Sequence, residues 1–207
     1  MEINRFEIRR QAFHICLGLI IVILLINNIL NSLILFIILI IGILISILIK
    51  KFKIPVIYSF LKIFERKDVL KTFPGKGTIS FLVGCLLVLQ LFERDIAFAS
   101  IMILTFGDSI SHLFGWHLGR KKHPLNCLKS IEGNIAGGIT GFLGAMLFVS
   151  PLSAFLASFG AMTAEAVELK MNNKIIDDFI AFLTISFPSL TDKLSLYLAS
   201  RIPYEKF

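Results

Sequence analysis

The sequence predicts an all-α, polytopic membrane protein: a bundle of about seven transmembrane helices with its N-terminus in the cytoplasm. Three observations carry that expectation. Several apolar runs approach or exceed the roughly 20 residues needed to cross a bilayer. The 207 residues are 56% hydrophobic, with a mean hydropathy of +0.84, where water-soluble domains rarely pass about half. Basic residues gather in alternate connectors. By length the chain is a single domain, 1–207.

Residues 1–10 form a polar, basic lead-in. Span one is expected over 11–29, with Asn27, Asn28, Asn31 and Ser32 making the turn, and span two over 33–49. The Ile/Leu density of span two suits the lipid-facing rim of a bundle. Residues 50–76 read as a long basic connector. Within it Ile54, Ile57, Tyr58, Leu61 and Phe64 recur at helical spacing, so part of it should lie on the interface as an amphipathic helix. Span three is expected over 77–92, with a short turn at Glu93-Arg94-Asp95, and span four over 96–118. Residues 119–129 read as a basic loop. Spans five and six, over 131–149 and 152–168, meet at Ser150-Pro151. Span seven is expected over 175–199, with a kink at Pro188.

Orientation follows from charge. Arg5, Arg9 and Arg10 precede span one, eight lysines and arginines from Lys50 to Lys76 follow span two, and Arg120, Lys121, Lys122 and Lys129 follow span four. Lys170 and Lys174 follow span six, whereas Arg94 stands alone in an opposite inter-span loop. The positive-inside rule therefore places the N-terminus in the cytoplasm. The net charge of +7 and pI near 9.5 then belong to loops that meet anionic lipid. Nucleic acid is not an expected partner, because no groove-sized basic fold is available. Cys16, Cys85 and Cys127 show no C-x-x-C pairing, so neither a disulfide framework nor a zinc site is indicated. No cleavable signal is expected, since the first apolar run is too long for a signal core. Self-association into a homo-oligomer is compatible with the sequence.

The polar residues set in or beside apolar runs are the candidate site. Asp108, His112, Gly115 and Gly119 share one helix face at i, i+4, i+7 and i+11. A carboxylate inside a span costs several kcal/mol unless it is paired or lines a wet cavity. Glu165 and Glu168 end span six and Asp177 and Asp178 open span seven; with Asp108 they offer ligands to a hard cation such as Mg²⁺. Asp177 and Asp178 also suit a helix N-terminus. Lys129-Ser130-Ile131-Glu132-Gly133 precedes span five, with Ser130 as N-cap, Lys129 as a charge for phosphate, and Gly133, Gly137 and Gly138 leaving a bare face. Ordinary capping and tight helix packing also account for that pattern. Pro74-Gly75-Lys76-Gly77-Thr78 lacks the Walker spacing and follows no expected strand, which leaves Lys76 and Gly77 as a Gly-flanked lysine at a helix start. Arg10 and His14, at i and i+4, suit phosphate or a headgroup; His14 is the more specific, since anchoring needs no histidine. His117 and His123 read as structural.

In this order the motifs resemble the dolichol kinase, phytol kinase and CTP-dependent diacylglycerol kinase family of integral membrane proteins, over most of the chain. Arg9-Arg10-x-x-x-His14 is similar to its opening basic-His element, and Lys76-Gly77-Thr78 falls at its Gly-bearing helix start. Gly107-Asp108-Ser109, Gly115 and Gly119-Arg120 resemble its central Gly-Asp segment, and Lys129-Ser130-Ile131-Glu132-Gly133 its Lys-Ser-x-Glu-Gly element. Glu165, Glu168 and Asp177-Asp178 stand where the family has a Glu and then Asp-Asn, so this chain carries an acid at 178 in place of an amide.

The resemblance implies transfer of the γ-phosphoryl group of CTP to the hydroxyl of a membrane lipid alcohol, of polyprenol, phytol or diacylglycerol type, with Mg²⁺. It places Asp108, Lys129 and Glu132 at the catalytic centre. Lys76, Gly77, Lys129, Ser130, Gly133, Arg10, His14 and His112 would face the nucleotide, with Asp108, Glu165, Glu168, Asp177 and Asp178 at the metal. Asp108 suits either metal binding or proton removal from the alcohol. All of this would sit at the cytoplasmic membrane face. The rival activities are a CTP-dependent cytidylyltransferase, whose expected Gly-His-Gly-Gly and Asp-Arg-x-Asp pattern is missing, and a transporter, for which the acids are not spread through the membrane depth.

Overall fold

The structure is a computed structural model that describes residues 5–52, 55–65, 67–123 and 126–166. Span seven, with Glu168, Asp177 and Asp178, lies outside the described residues. Helices dominate: α1 (Arg5–Ile26), α2 (Ser32–Phe52), α3 (Pro55–Phe64), α4 (Lys67–Thr72), α5 (Lys76–Leu91), α6 (Arg94–Met102), α7 (Ser109–Leu118), α8 (Ile131–Ala145) and α9 (Pro151–Ala166). Among the described residues, three helical stretches are long and apolar enough to cross a membrane: α1, α2 and the continuous run from Arg94 to Leu118. At 1.5 Å per residue α1 reaches about 33 Å, enough for a hydrocarbon core of about 30 Å. The shorter apolar helix α5, of 16 residues, reaches about 24 Å.

The run from Arg94 to Leu118 is the centre of the molecule. In its apolar window 56% of residues are buried, against 22% for α2. The α2 side chains Leu33, Phe36, Ile37, Ile41, Leu44 and Ile47 are exposed, and this helix packs chiefly on α5, so α2 occupies the rim that its composition suggested. In the connector Ile57, Tyr58, Leu61 and Phe64 fall on α3, as their helical spacing suggested, and Ile54 lies outside the described residues.

Two features were not expected. The central run is not uniformly α-helical: Ile103–Asp108 winds as a π-helix between α6 and α7. Such a segment widens the turn and recurs at functional sites. Here it carries Asp108 at its end. Second, the basic loop after α7 contains a small antiparallel hairpin, β1 (Lys122–His123) against β2 (Asn126–Ser130), with Lys122 opposite Ser130. The all-α expectation is corrected to that extent. The hairpin brings the chain back so that Ser130 can start α8.

Glycines set how closely the helices approach. Along α8, Gly133, Gly137, Gly141 and Gly144 are buried. A Cβ on Gly137 would lie 2.6 Å from the Gly107 carbonyl oxygen and 2.8 Å from Ser111 Cβ. A Cβ on Gly133 would lie 2.5 Å from the Ser111 carbonyl oxygen and 2.8 Å from Gly115 Cα. The bare face expected to admit a ligand is therefore filled by the central helix, as in other small-residue membrane seams. On its other side α8 holds α9: Ser158 Oγ donates to the Gly138 carbonyl at 2.7 Å, and Gly138 lies against the Phe159 ring. Gly18 does the same for α1, which crosses the π-helical segment against the Thr105 side chain.

At the far end of α1, Arg94 Nη2 donates to the Leu25 carbonyl at 2.9 Å and to Asn28 Oδ1 at 2.8 Å. The guanidinium satisfies a carbonyl at the helix end and suits the negative end of its dipole.

Candidate functional site

Sequence and packing bring four charged side chains together. Asp108 stands at the end of the π-helical segment. One turn on, His112 places Nε2 3.3 Å from Asp108 Oδ1. Lys129 is the penultimate residue of β2, immediately before Ser130, which ends the strand and is the N-cap of α8. Glu165 comes from the last turn of α9 and accepts a hydrogen bond from Lys129 Nζ. One ligand atom each from Asp108, His112 and Glu165 lies within 4.8 Å of the others. The Asp108 and His112 side chains are 38% and 43% exposed, so an ion or phosphate can reach them, whereas Lys129 and Glu165 are more covered.

The glycine seams explain why these residues meet. Gly115 and Gly119 let another backbone or a ligand approach the Asp108 face closely, and it is Ser130 that they receive: a Cβ on Gly115 would lie 3.0 Å from Ser130 Oγ, and one on Gly119 2.6 Å from Ser130 Cβ. That seating delivers Lys129 to the acid face of α7. Met162 packs against Gly107 and Gly137, which fixes the α9 turn that ends in Glu165. Residues 108 and 165, far apart in sequence, become neighbours because backbone meets backbone at positions lacking side chains.

The start of α1 also reaches this region. His14 lies within charge range of Asp108, Arg10 and His112. Its ring meets Phe81 at 6.0 Å, and a Cβ on Gly77 would lie 3.5 Å from His14 Nε2. His14 and Gly77 are thus brought together beside the acids. Arg10 instead donates to Glu7 Oε1 at 2.5 Å, and Gln11 Nε2 donates to the same oxygen at 3.0 Å.

Several expected roles change. Ser130 is the N-cap, its Oγ accepting from Gly133 N at 3.0 Å. The Ile131 amide donates to the Lys121 carbonyl at 3.0 Å. Two first-turn amides of α8 are therefore spent within the chain. Glu132, expected at the catalytic centre, accepts from the Lys121 amide at 3.1 Å and ties the hairpin to α8. The helix start at Lys76 and Gly77 is likewise supplied with an anion: Glu65 Oε2 accepts from Gly75 N at 2.8 Å. Gly75 has φ of 82°, a left-handed conformation that glycine adopts without strain. Burial pushes the Glu65 carboxyl above its ordinary range, and the amides of Gly75 and Gly77 pull it back. This carboxylate occupies the turn before α5.

Sequence reasoning missed Glu7, Gln11 and Glu65. Glu7 could have been found, since Arg10 and Gln11 follow it at i+3 and i+4. Glu65 could not, because its partner is ten residues away across a turn of unpredicted shape. The Lys129–Glu165 pair needed the α8–α9 packing. Compared with protein-family models, curated proteins and solved structures, the chain matches none of them.

Proposed function

We propose that the chain is a CTP-dependent lipid kinase that transfers the γ-phosphoryl group to the hydroxyl of a membrane lipid alcohol. In this reading the chain makes seven passes with its N-terminus inside and works at the cytoplasmic face. The observation that carries it is the convergence of Asp108, His112, Glu165 and Lys129 on one accessible patch among apolar helices. Phosphoryl transfer asks a protein for positioning and charge neutralisation more than for covalent chemistry. That patch offers both, and the sequence motifs that contribute to it are those that resemble the lipid-alcohol kinases.

The donor set fits a divalent cation. Two carboxylates and an imidazole lie within one ion's reach, and oxygen ligands from one or two acids suit Mg²⁺ bound with a nucleotide. Such an ion, when bound, would neutralise the triphosphate charge. Asp108 and Glu165 would hold it. Lys129 places its ammonium as a point charge for phosphate oxygens. Asp108 is the acid suited to take the proton of the lipid hydroxyl, with His112 fixing its orientation. His14, at the seam of α1 and α5, adds a donor or a cation at the edge of the patch. A lipid alcohol would reach the acids from between helices, its tail in the bilayer.

The test is a product analysis on purified protein with labelled CTP or ATP and three alcohol classes: polyprenol, phytol and diacylglycerol. The expected result is a phosphorylated lipid with CDP. Pyrophosphate with a CDP-linked lipid would instead establish a cytidylyltransferase and overturn the kinase reading.

A further inference from the structure

We infer that the Asp108–His112–Glu165 group is a binding site for a first-row transition-metal dication, with His112 as a ligand, and that Lys129 competes with the metal for Glu165. The metal part of the proposed function underlies this inference, which goes past it in naming the ion class, a third ligand and a resident competitor. The group is more than an acidic cluster because it contains an imidazole whose Nε2 already stands 3.3 Å from Asp108 Oδ1. It also holds a cation now, the Lys129 ammonium on Glu165.

Ligand atoms bound to one ion at about 2.1 Å lie roughly 3 to 4.2 Å apart. The three atoms here fall within 4.8 Å of one another, so small side-chain adjustments complete the set. Their chemistry selects the ion. Carboxylates alone suit Mg²⁺ and Ca²⁺, while imidazole adds affinity for the first-row transition series, of which Mn²⁺ is the weakest-binding member. Mg²⁺ gives up water reluctantly and is held by one or two carboxylates, so it gains little from His112. An ion that accepts both oxygen and nitrogen, with Mn²⁺ as the convenient probe, gains all three donors.

Lys129 follows from charge. A dication entering beside Glu165 displaces a single positive charge with two, and the ammonium moves off the carboxylate. The displaced Lys129 is then available to a phosphate, so metal loading and nucleotide binding are coupled through one lysine.

The test is an Mn²⁺ titration of the full chain purified in detergent, with free Mn²⁺ followed by electron paramagnetic resonance. One Mn²⁺ site is expected, resistant to a modest excess of Mg²⁺. His112→Asn should weaken Mn²⁺ binding by about tenfold or more while changing Mg²⁺ affinity little. Lys129→Met should tighten Mn²⁺ binding in the absence of nucleotide, an effect that misfolding cannot mimic. Unchanged Mn²⁺ affinity in His112→Asn, equal displacement by Mg²⁺, or an Mn²⁺ affinity that Lys129→Met fails to raise would overturn the inference. Phosphoryl transfer is measured on the same preparations. Mn²⁺ held through His112 without any transfer from CTP sinks the kinase reading alone. Transfer by a His112→Asn chain that binds Mn²⁺ as tightly as the wild type sinks the metal inference alone.

Discussion

Two charged groups sit in this apolar bundle, and they are built in opposite ways. Glu7, Arg10 and Gln11 belong to one helix and meet at i+3 and i+4 spacing. Glu7 is 7% exposed and Gln11 1%, so the carboxylate and amide are sealed, with Arg10 half-buried beside them. Asp108, His112, Lys129 and Glu165 come from the central run, the hairpin and α9, and the Asp108–His112 pair remains open. The first lowers the cost of keeping charge on a membrane helix by local pairing. The second is assembled by the fold and kept accessible, the arrangement that binding needs. The difference teaches that a charge in a span is not by itself a site; what distinguishes one is ligand atoms delivered by separate elements to a place a solute can enter.

The largest expected effect comes from neutralising each group in turn. Asp108→Asn should lower phosphorylation of the lipid alcohol by about 10³-fold or more, the scale of losing a principal charge contact in phosphoryl transfer. Glu7→Gln should leave turnover intact and lower stability by about 1–3 kcal/mol, the range for a hydrogen bond to a charged group. Parallel activity and thermal-melting measurements on both variants decide the matter, and activity lost equally in both would erase the distinction.

A smaller effect separates roles inside the open group. Lys129→Ala should raise the apparent KM for CTP by about tenfold, equivalent to 1.4 kcal/mol, and leave the KM for lipid nearly unchanged. Steady-state kinetics with each substrate varied would show this. An unaltered CTP dependence removes Lys129 from the phosphate.

The smallest effect concerns Glu65, which is neither sealed nor part of the open group. Its folded-state acidity is weakened by burial, so its pKa lies above the unfolded value. The folded state holds the proton more tightly. Its contribution to stability is therefore full below the unfolded pKa and falls as pH rises through the folded one. Melting temperature should decline modestly as pH rises through and above the ordinary carboxylate range, and Glu65→Gln should flatten that decline. Melting curves across this range check it; an identical slope in the variant would show that Glu65 does not titrate on unfolding.

Much of the fold was legible because helices in membranes advertise themselves by length and composition. The expected boundaries of α1, α2, α5, α8 and α9 fall within a few residues of those observed, apart from the lead-in that joins α1 and the end of α8. The π-helical segment was not legible, since nothing in Ile-Leu-Thr-Phe-Gly-Asp distinguishes it from α-helix; within it Gly107 and Thr105 lie in tight contact with other helices. The hairpin was hidden because its pairing depends on where α7 stops and α8 starts. Glu132 was marked out by its motif, but its contact with the Lys121 amide was hidden for the same reason.

By itself the sequence determined that this chain is helical and apolar enough for a membrane, that α2 lies at the rim, and that Asp108 is a residue a membrane would not tolerate unpartnered. Those conclusions rest on hydrophobicity and one-helix periodicity, which are local properties. Only the tertiary structure decided that Glu165 stands beside Asp108, that Lys129 pairs with Glu165, and that the glycines of α8 serve packing. Each of these is a contact between distant elements, set by how closely backbones approach.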